Sequence, residues 1–117
     1  MTNSETKFRL WAKKQYPGAL IKKIPDFKMM GGAQGASVGL PDYVLFYEGE
    51  TIWYEVKSGF GDTLNLKNHF TDGQKITFAK MLLNNVDIKI WCLTKNYKHQ
   101  IICFSEIYEK GSMRFKK

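Results

Sequence analysis

The chain has 117 residues, of which 44% are hydrophobic and 25% charged, and its formal net charge is +7. This length predicts one domain, 1–117, and the composition excludes a disordered chain. No apolar run approaches the roughly 20 residues that cross a bilayer, and the polar N-terminus lacks the apolar segment of a signal peptide. We therefore expect a cytoplasmic protein without a membrane partner. The positive charge favours a polyanionic partner such as nucleic acid, although solubility alone explains such a charge equally well.

The first third of the chain predicts a helix, a short strand and a loop. A capping box, with Thr2 as N-cap and Glu5 three residues later, begins a helix that runs to about Gln15. Residues 19–24 predict a strand that ends at a proline. Residues 29–39 contain four glycines and predict a loop, which either approaches a bound backbone or is a plain connection.

A β-hairpin follows this loop. It is indicated by two runs of aromatic and β-branched residues around a turn dipeptide, at 43–47, 51–56 and 48–49. With a two-residue turn, residues pair when their numbers add to 97, so Asp42 lies opposite Glu55. The period of two along a strand then places Lys57 on the same face. A three-residue turn would instead move Asp42 to the other face, unless a bulge restored the register.

The second half of the chain predicts two helices and two strands. Residues 58–70 show no period and predict a loop. A T-x-x-Q capping box at Thr71 and Gln74 begins a helix that runs to about Asn85. Two strands and a short C-terminal helix come after it, at 87–93, at 99–104 and from Ser105. This order predicts an α/β fold in which helices pack on a sheet.

The opposed pair of Asp42 and Glu55 is the feature of the sequence that indicates a catalytic metal site. Two opposed carboxylates destabilise a pair of strands, and a divalent cation between them reverses the sign of that interaction. Mg²⁺ prefers carboxylate, carbonyl and water oxygens, so the main-chain carbonyl of Val56 is a candidate third ligand. Lys57 would then lie beside a metal-bound water or a phosphate. The alternative is an ordinary exposed strand face.

The segments Gly39–Asp42 (Gly-Leu-Pro-Asp) and Glu55–Lys57 (Glu-Val-Lys) resemble the signature of the PD-(D/E)xK nuclease superfamily. Within that superfamily, the chain looks most like a stand-alone VRR-NUC domain of the phage type. That group has a Gln at the start of the following helix, which Gln74 matches, and often a Glu in the first helix, which Glu5 matches. A capping role explains each of these two side chains equally well.

The resemblance implies a restriction-endonuclease-like α/β core, which is a mixed β-sheet flanked by α-helices. It also implies a DNA endonuclease that uses Mg²⁺ or Mn²⁺, acts as a homodimer, and works in the cytoplasm of a bacterial host if it is phage-encoded. Asp42 and Glu55 would be metal ligands, and Lys57 the catalytic base or charge stabiliser. Gln74 and Glu5 would complete the catalytic residues.

Four residues are candidate contacts to the nucleic-acid backbone, namely Lys28, Gly35, Ser58 and Lys75. His69 is a further candidate for a phosphate contact, although a loop histidine without a role is the commoner case. The substrate would be a branch, a flap or a junction. Two alternatives remain, a Holliday-junction resolvase acting as a homodimer and a nucleic-acid-binding module that does not cut. A sequence-specific restriction enzyme is disfavoured, because 117 residues leave little room for a reading domain.

Overall fold

A computed structural model of the chain describes residues 3–25, 39–94 and 98–115. Four helices and seven strands are found in these ranges. In chain order they are α1 (Asn3–Gln15), β1 (Leu20–Lys23), β2 (Tyr43–Tyr47), β3 (Glu50–Ser58), β4 (Thr63–Asn65), α2 (Leu66–His69), α3 (Asp72–Leu83), β5 (Ile88–Leu93), β6 (His99–Cys103), α4 (Phe104–Lys110) and β7 (Ser112–Arg114). None of the helices in this part of the chain is long and apolar enough to cross a membrane.

Five strands form the main sheet, in the order β1-β2-β3-β5-β6. Only the β3–β5 pair is parallel, and helix α3 provides the crossover that a parallel pair requires. The other three pairs are antiparallel. Strands β4 and β7 form a separate two-stranded sheet. The predicted mixed sheet with flanking helices is confirmed, and β3 occupies its centre.

The β2–β3 hairpin has the predicted register. Tyr47 pairs with Glu50, and the ladder continues to Tyr43 opposite Tyr54. The two turn residues, Glu48 and Gly49, both have positive φ, at 49° and 79°. This is the type I′ geometry, whose twist matches that of the flanking strands, so a two-residue turn sets the register.

Both faces of the sheet are covered by apolar side chains. On one face, Phe8 and Ala12 of α1 pack against Tyr43, Tyr54 and Trp91. The other face is covered by α3 and α4, whose buried side chains meet those of β5. This second cluster includes Phe78, Phe104, Ile107, Ile88, Ile90 and Cys92. Because β3 is sandwiched between the two layers, a charged side chain on it is removed from water unless it lies at the end of the strand.

The prediction of a structureless loop at 58–70 is wrong. This segment contains strand β4 and helix α2, and β4 pairs with β7 near the C-terminus. These elements are three or four residues long, which is too short for a hydrophobic period to develop. Helix α4 begins one residue before the predicted Ser105. The predicted N-cap Thr2 lies outside the described residues, as does the predicted glycine loop up to residue 38.

Candidate active site

Asp42 and Glu55 meet where the hairpin ladder ends. The main-chain N–H of Asp42 donates to Glu55 Oε1 over 3.1 Å, and the main-chain N–H of Val56 donates to Asp42 Oδ2 over 3.0 Å. Each carboxylate is therefore held by the main chain of the opposite strand segment. The hairpin continues for one more residue through these side chains, and the register predicted from the turn brings the two acids together.

Glu55 is almost completely buried, with 2% of its surface exposed. Burial, and secondarily the charge of Asp42, raises its pKa to about 8, although Lys57 acts in the opposite direction. Burial also raises the pKa of Asp42, against the hydrogen bond from Val56, and the charge of Glu5 adds to the increase. Negative charge at this point of the fold is therefore unfavourable until a cation compensates it.

Lys57 and Gln74 complete a network around Glu55. Lys57 Nζ lies 3.2 Å from Glu55 Oε2 and donates to Gln74 Oε1 over 3.0 Å. Gln74 Nε2 donates to the same Glu55 Oε2 over 2.8 Å. The ammonium also lies 4.6 Å from the centre of the Phe70 ring, which is a cation–π contact. These contacts hold the Lys57 ammonium in one place.

Gln74 is both a helix cap and a neighbour of Glu55. Its Oε1 accepts from the main-chain N–H of Thr71, and the Thr71 hydroxyl accepts from the N–H of Gln74. The predicted capping box is thus confirmed. The cap uses only the amide oxygen, however, and the amide nitrogen is left to bind the carboxylate. A glutamate would make the same cap but would turn a carboxylate oxygen toward Glu55.

We expect Gln74→Glu to lower the free energy of unfolding by about 1–3 kcal/mol at pH 8, because it replaces a hydrogen bond to a buried carboxylate with like-charge repulsion. Urea unfolding measures the loss. Glu106 provides the matched control, since its Oε1 accepts from the main-chain N–H of Cys103 at the start of α4. Glu106→Gln makes the reverse exchange at an exposed cap and should be neutral within about 0.5 kcal/mol. Equal small effects at both positions would reduce Gln74 to a capping residue.

Glu5 approaches the two acids from α1, on the other side of the sheet. Its Oε1 accepts from the Tyr43 hydroxyl over 3.0 Å and forms an ion pair with Lys23 of β1. The sequence alone does not identify Lys23 as a site residue, since a lysine in a short strand carries no distinguishing pattern. It comes to the site because β1 pairs with β2 and places Lys23 beside Tyr43.

These residues line one cleft of about 390 Å³. Its walls are formed by Ser4, Glu5, Asp42, Glu55, Val56, Lys57, Ser58, Phe60 and His69. Four of the five predicted catalytic residues are therefore brought to one cavity, and Gln74 contacts two of them from α3. The sequence does not predict that Ser4 and Phe60 line the cleft, because Ser4 is an unspecified position within the predicted capping box and Phe60 lies in no recognisable motif.

No protein-family model and no curated protein matches this sequence. Among solved structures, the fold is similar to that of Hjc, a Holliday junction resolvase from the archaeal hyperthermophile Archaeoglobus fulgidus. The TM-score is 0.59 at 14% sequence identity, over 87% of this chain and 75% of that chain. The chain has the fold of a Holliday junction resolvase. The narrower resemblance to a phage-type VRR-NUC domain rests on the sequence motifs alone.

The cleft of this resolvase-like fold offers the oxygen donors that a hard divalent cation prefers. Asp42 and Glu55 are adjacent carboxylates, and burial, together with the charge of a neighbouring acid, raises the pKa of each. Val56 lines the same cleft and could add a carbonyl oxygen. No group of three or more His, Cys, Asp and Glu side chains able to hold a metal ion occurs in the described ranges. An ion held by Asp42 and Glu55 would need main-chain and water oxygens to complete its coordination.

The predicted nucleic-acid contacts have different positions in the resolvase-like fold. Ser58, the last residue of β3, is exposed and lines the cleft. Lys75 follows Gln74 on α3, does not line the cleft, and lies 3.2 Å from Asp72 Oδ1. Lys28 and Gly35 lie outside the described residues.

Proposed function

We propose that the chain is a single-domain, metal-dependent endonuclease that hydrolyses DNA phosphodiester bonds at branches, flaps or junctions. One observation carries the proposal. Two main-chain-held carboxylates, Asp42 and Glu55, share a cleft with an ammonium that is fixed between Glu55 and Gln74. The net charge of +7 suits a nucleic-acid substrate.

Asp42, Glu55 and the main-chain carbonyl of Val56 would hold Mg²⁺ or Mn²⁺. When bound, such an ion polarises a phosphoryl oxygen and lowers the pKa of a coordinated water. It would also remove the electrostatic cost of keeping Asp42 and Glu55 ionised next to each other.

The role proposed for Lys57 follows from its restraint. An ammonium with defined partners is already positioned when charge develops on a phosphate, so the reaction needs no reorganisation of that group. Lys57 would donate to a phosphate oxygen or position the attacking water. Glu55 and Gln74 orient Lys57, and Glu5 adds negative charge next to Asp42.

Resolution of four-way junctions by a homodimer is the more specific candidate. It is favoured by the similarity of the fold to a Holliday junction resolvase. A pair of sites on two copies would cut two strands of one junction symmetrically. A binding module that retains the fold without cutting is the competing outcome.

We expect the purified chain to cut labelled four-way-junction or flap DNA faster than linear duplex, with Mg²⁺ or Mn²⁺ and not with EDTA. Lys57→Met, which keeps the aliphatic stem over Phe70 but removes the charge, should slow single-turnover cleavage by about 100-fold or more. Lys80→Met removes one charge from an exposed position of α3 and is the matched control.

Cleavage that the two lysine variants reduce equally would mean that total charge matters and would contradict the assigned site. Tight DNA binding by the wild type without cleavage in either metal would support the binding module. Paired, symmetric cuts across the four-way junction would favour the resolvase over a flap nuclease.

A further inference from the structure

Part of the cleft is formed by a segment to which the proposed function assigns no role. After β3, the chain passes through Phe60 and β4 into the short helix α2, which ends at His69. Both Phe60 and His69 line the cleft that contains Asp42 and Glu55. Their rings are in contact, with centroids 5.8 Å apart and planes inclined by 55°. His69 is therefore a restrained part of the cavity wall.

One hydrogen bond determines which ring nitrogen of His69 can act as a hydrogen-bond donor. The main-chain N–H of Asn65 donates to His69 Nδ1 over 2.8 Å. A nitrogen that accepts a hydrogen bond carries no proton, so the neutral imidazole holds its proton on Nε2. A main-chain N–H group can only donate, so Nδ1 must be the acceptor in this hydrogen bond. His69 thus offers an N–H group on the ring edge away from Asn65.

The Nε2 group has no hydrogen-bond partner among the described residues. In those ranges the only buried side-chain nitrogen or oxygen that lacks a partner is Trp91 Nε1, so His69 Nε2 must be reached by solvent. Capping of α2 explains the role of Nδ1, because Asn65 is the N-cap of that helix. Capping does not explain a second, open donor in the wall of a cleft.

We propose that His69 donates from Nε2 to a phosphate oxygen of the DNA strand bound in this cleft, and is a further residue that contacts the substrate. The proposal rests on the proposed function, since it requires a phosphodiester in the cavity. The cleft already holds three ionisable acids, so a polyanionic strand needs donors on the surrounding wall. Besides Lys57, Ser58 and His69 supply them from the end of β3 and from α2.

Two substitutions separate the role of each ring nitrogen. His69→Asn can keep an acceptor near Nδ1 for the Asn65 amide but has no donor at the Nε2 position. His69→Gln places an amide near Nε2 and loses the cap. We expect the Asn variant to melt close to the wild type and to bind four-way-junction DNA about 10- to 100-fold more weakly in EDTA, by fluorescence anisotropy. The Gln variant should melt lower yet bind more tightly than the Asn variant.

The contact can be tested directly by replacing single phosphates of the DNA with methylphosphonates, which carry no charge. Junctions that carry one methylphosphonate at successive positions should include a position at which the wild type loses affinity and His69→Asn does not. Asn68→Ala, which alters the exposed neighbouring side chain on the same helix, is the control and should behave as the wild type. A structural role for His69 would not change the response to a single phosphate.

The outcomes of these experiments distinguish the His69 contact from the endonuclease proposal. If the Asn variant binds as the wild type and the Gln variant is the weaker one, His69 is a helix cap only and the inference is overturned, whether or not the wild type cuts DNA. If the wild type binds but never cuts, the endonuclease proposal fails, and the methylphosphonate comparison still decides the His69 contact. If the wild type neither binds nor cuts, both proposals are wrong.

Discussion

Glu55→Gln is expected to reduce DNA cleavage by a factor on the order of 10³ and, in the absence of metal, to make the protein harder to unfold at pH 8. The first effect follows from the loss of a metal ligand and of the partner that orients Lys57. The second follows from the burial of Glu55, whose charge has little contact with solvent and one close cation among the described residues. A neutral amide of the same shape removes that charge. Its one oxygen keeps the hydrogen bonds from Lys57 and Gln74, and the loss of the acceptor for the Asp42 N–H offsets part of the gain.

The sign of the pH dependence follows from the pKa of Glu55. Its ordinary value is 4.5, and in the folded chain it is about 8. Between these values the folded state holds a proton that the unfolded state has released, so wild-type stability falls as the pH rises through this window. Glu55→Gln should remove this slope. A gain of about 1 kcal/mol at pH 8 corresponds to roughly 4 °C or more in melting temperature.

Melting curves between pH 5 and pH 9, in EDTA and in Mg²⁺, measure both parts of this expectation. Mg²⁺ should raise the melting temperature of the wild type at pH 8 and have little effect on Glu55→Gln, since a ligand stabilises only the state that binds it. Glu109→Gln removes the same charge from an exposed position on α4 and is the control. A wild-type stability that rises steadily from pH 5 to pH 8 would contradict the assigned ionisation.

The position of the two acids could be predicted from the sequence because few variables determine it. A two-residue turn leaves one register, and side chains alternate along a strand, so counting from Glu48-Gly49 places Asp42 beside Glu55. Counting along the strands could not predict how deeply the Glu55 side chain is buried. That depends on α3 and α4 packing over the centre of the sheet, which is a property of the whole fold.

The parts that could not be predicted depend on contacts between distant segments. Gln74 has two roles. The T-x-x-Q motif shows its capping role, whereas only the family resemblance suggests a role in the site, because the contact with Glu55 spans 19 positions. Lys23 reaches Glu5 across 18 positions through the pairing of β1 with β2. His69 belongs to a four-residue helix that has no sequence period, and only the structure shows which of its nitrogens is occupied.

Gly39→Ala is expected to destabilise the protein by about 3 kcal/mol or more and to slow cleavage together with it. Gly39 has φ of +87°, where a side chain is strained. Its added Cβ would also lie 2.2 Å from the carbonyl oxygen of Gly73 and 2.9 Å from the main-chain nitrogen of Gln74. Those atoms belong to the first turn of α3, so the helix would have to move away from Asp42 and carry Gln74 away from Glu55.

Gly18→Ala is a control that separates the effect of the steric contact with α3 from the effect of the positive φ angle. Gly18 has a similar φ of +82°, but a Cβ there would meet nothing within 4 Å. It should therefore cost only about 1 kcal/mol and leave cleavage unchanged. Urea unfolding and single-turnover cleavage of the two variants give the comparison. Equal losses of stability would mean that the strand entering the site does not rest on the start of α3, and that the glycine of the Gly-Leu-Pro-Asp segment is required only for its turn.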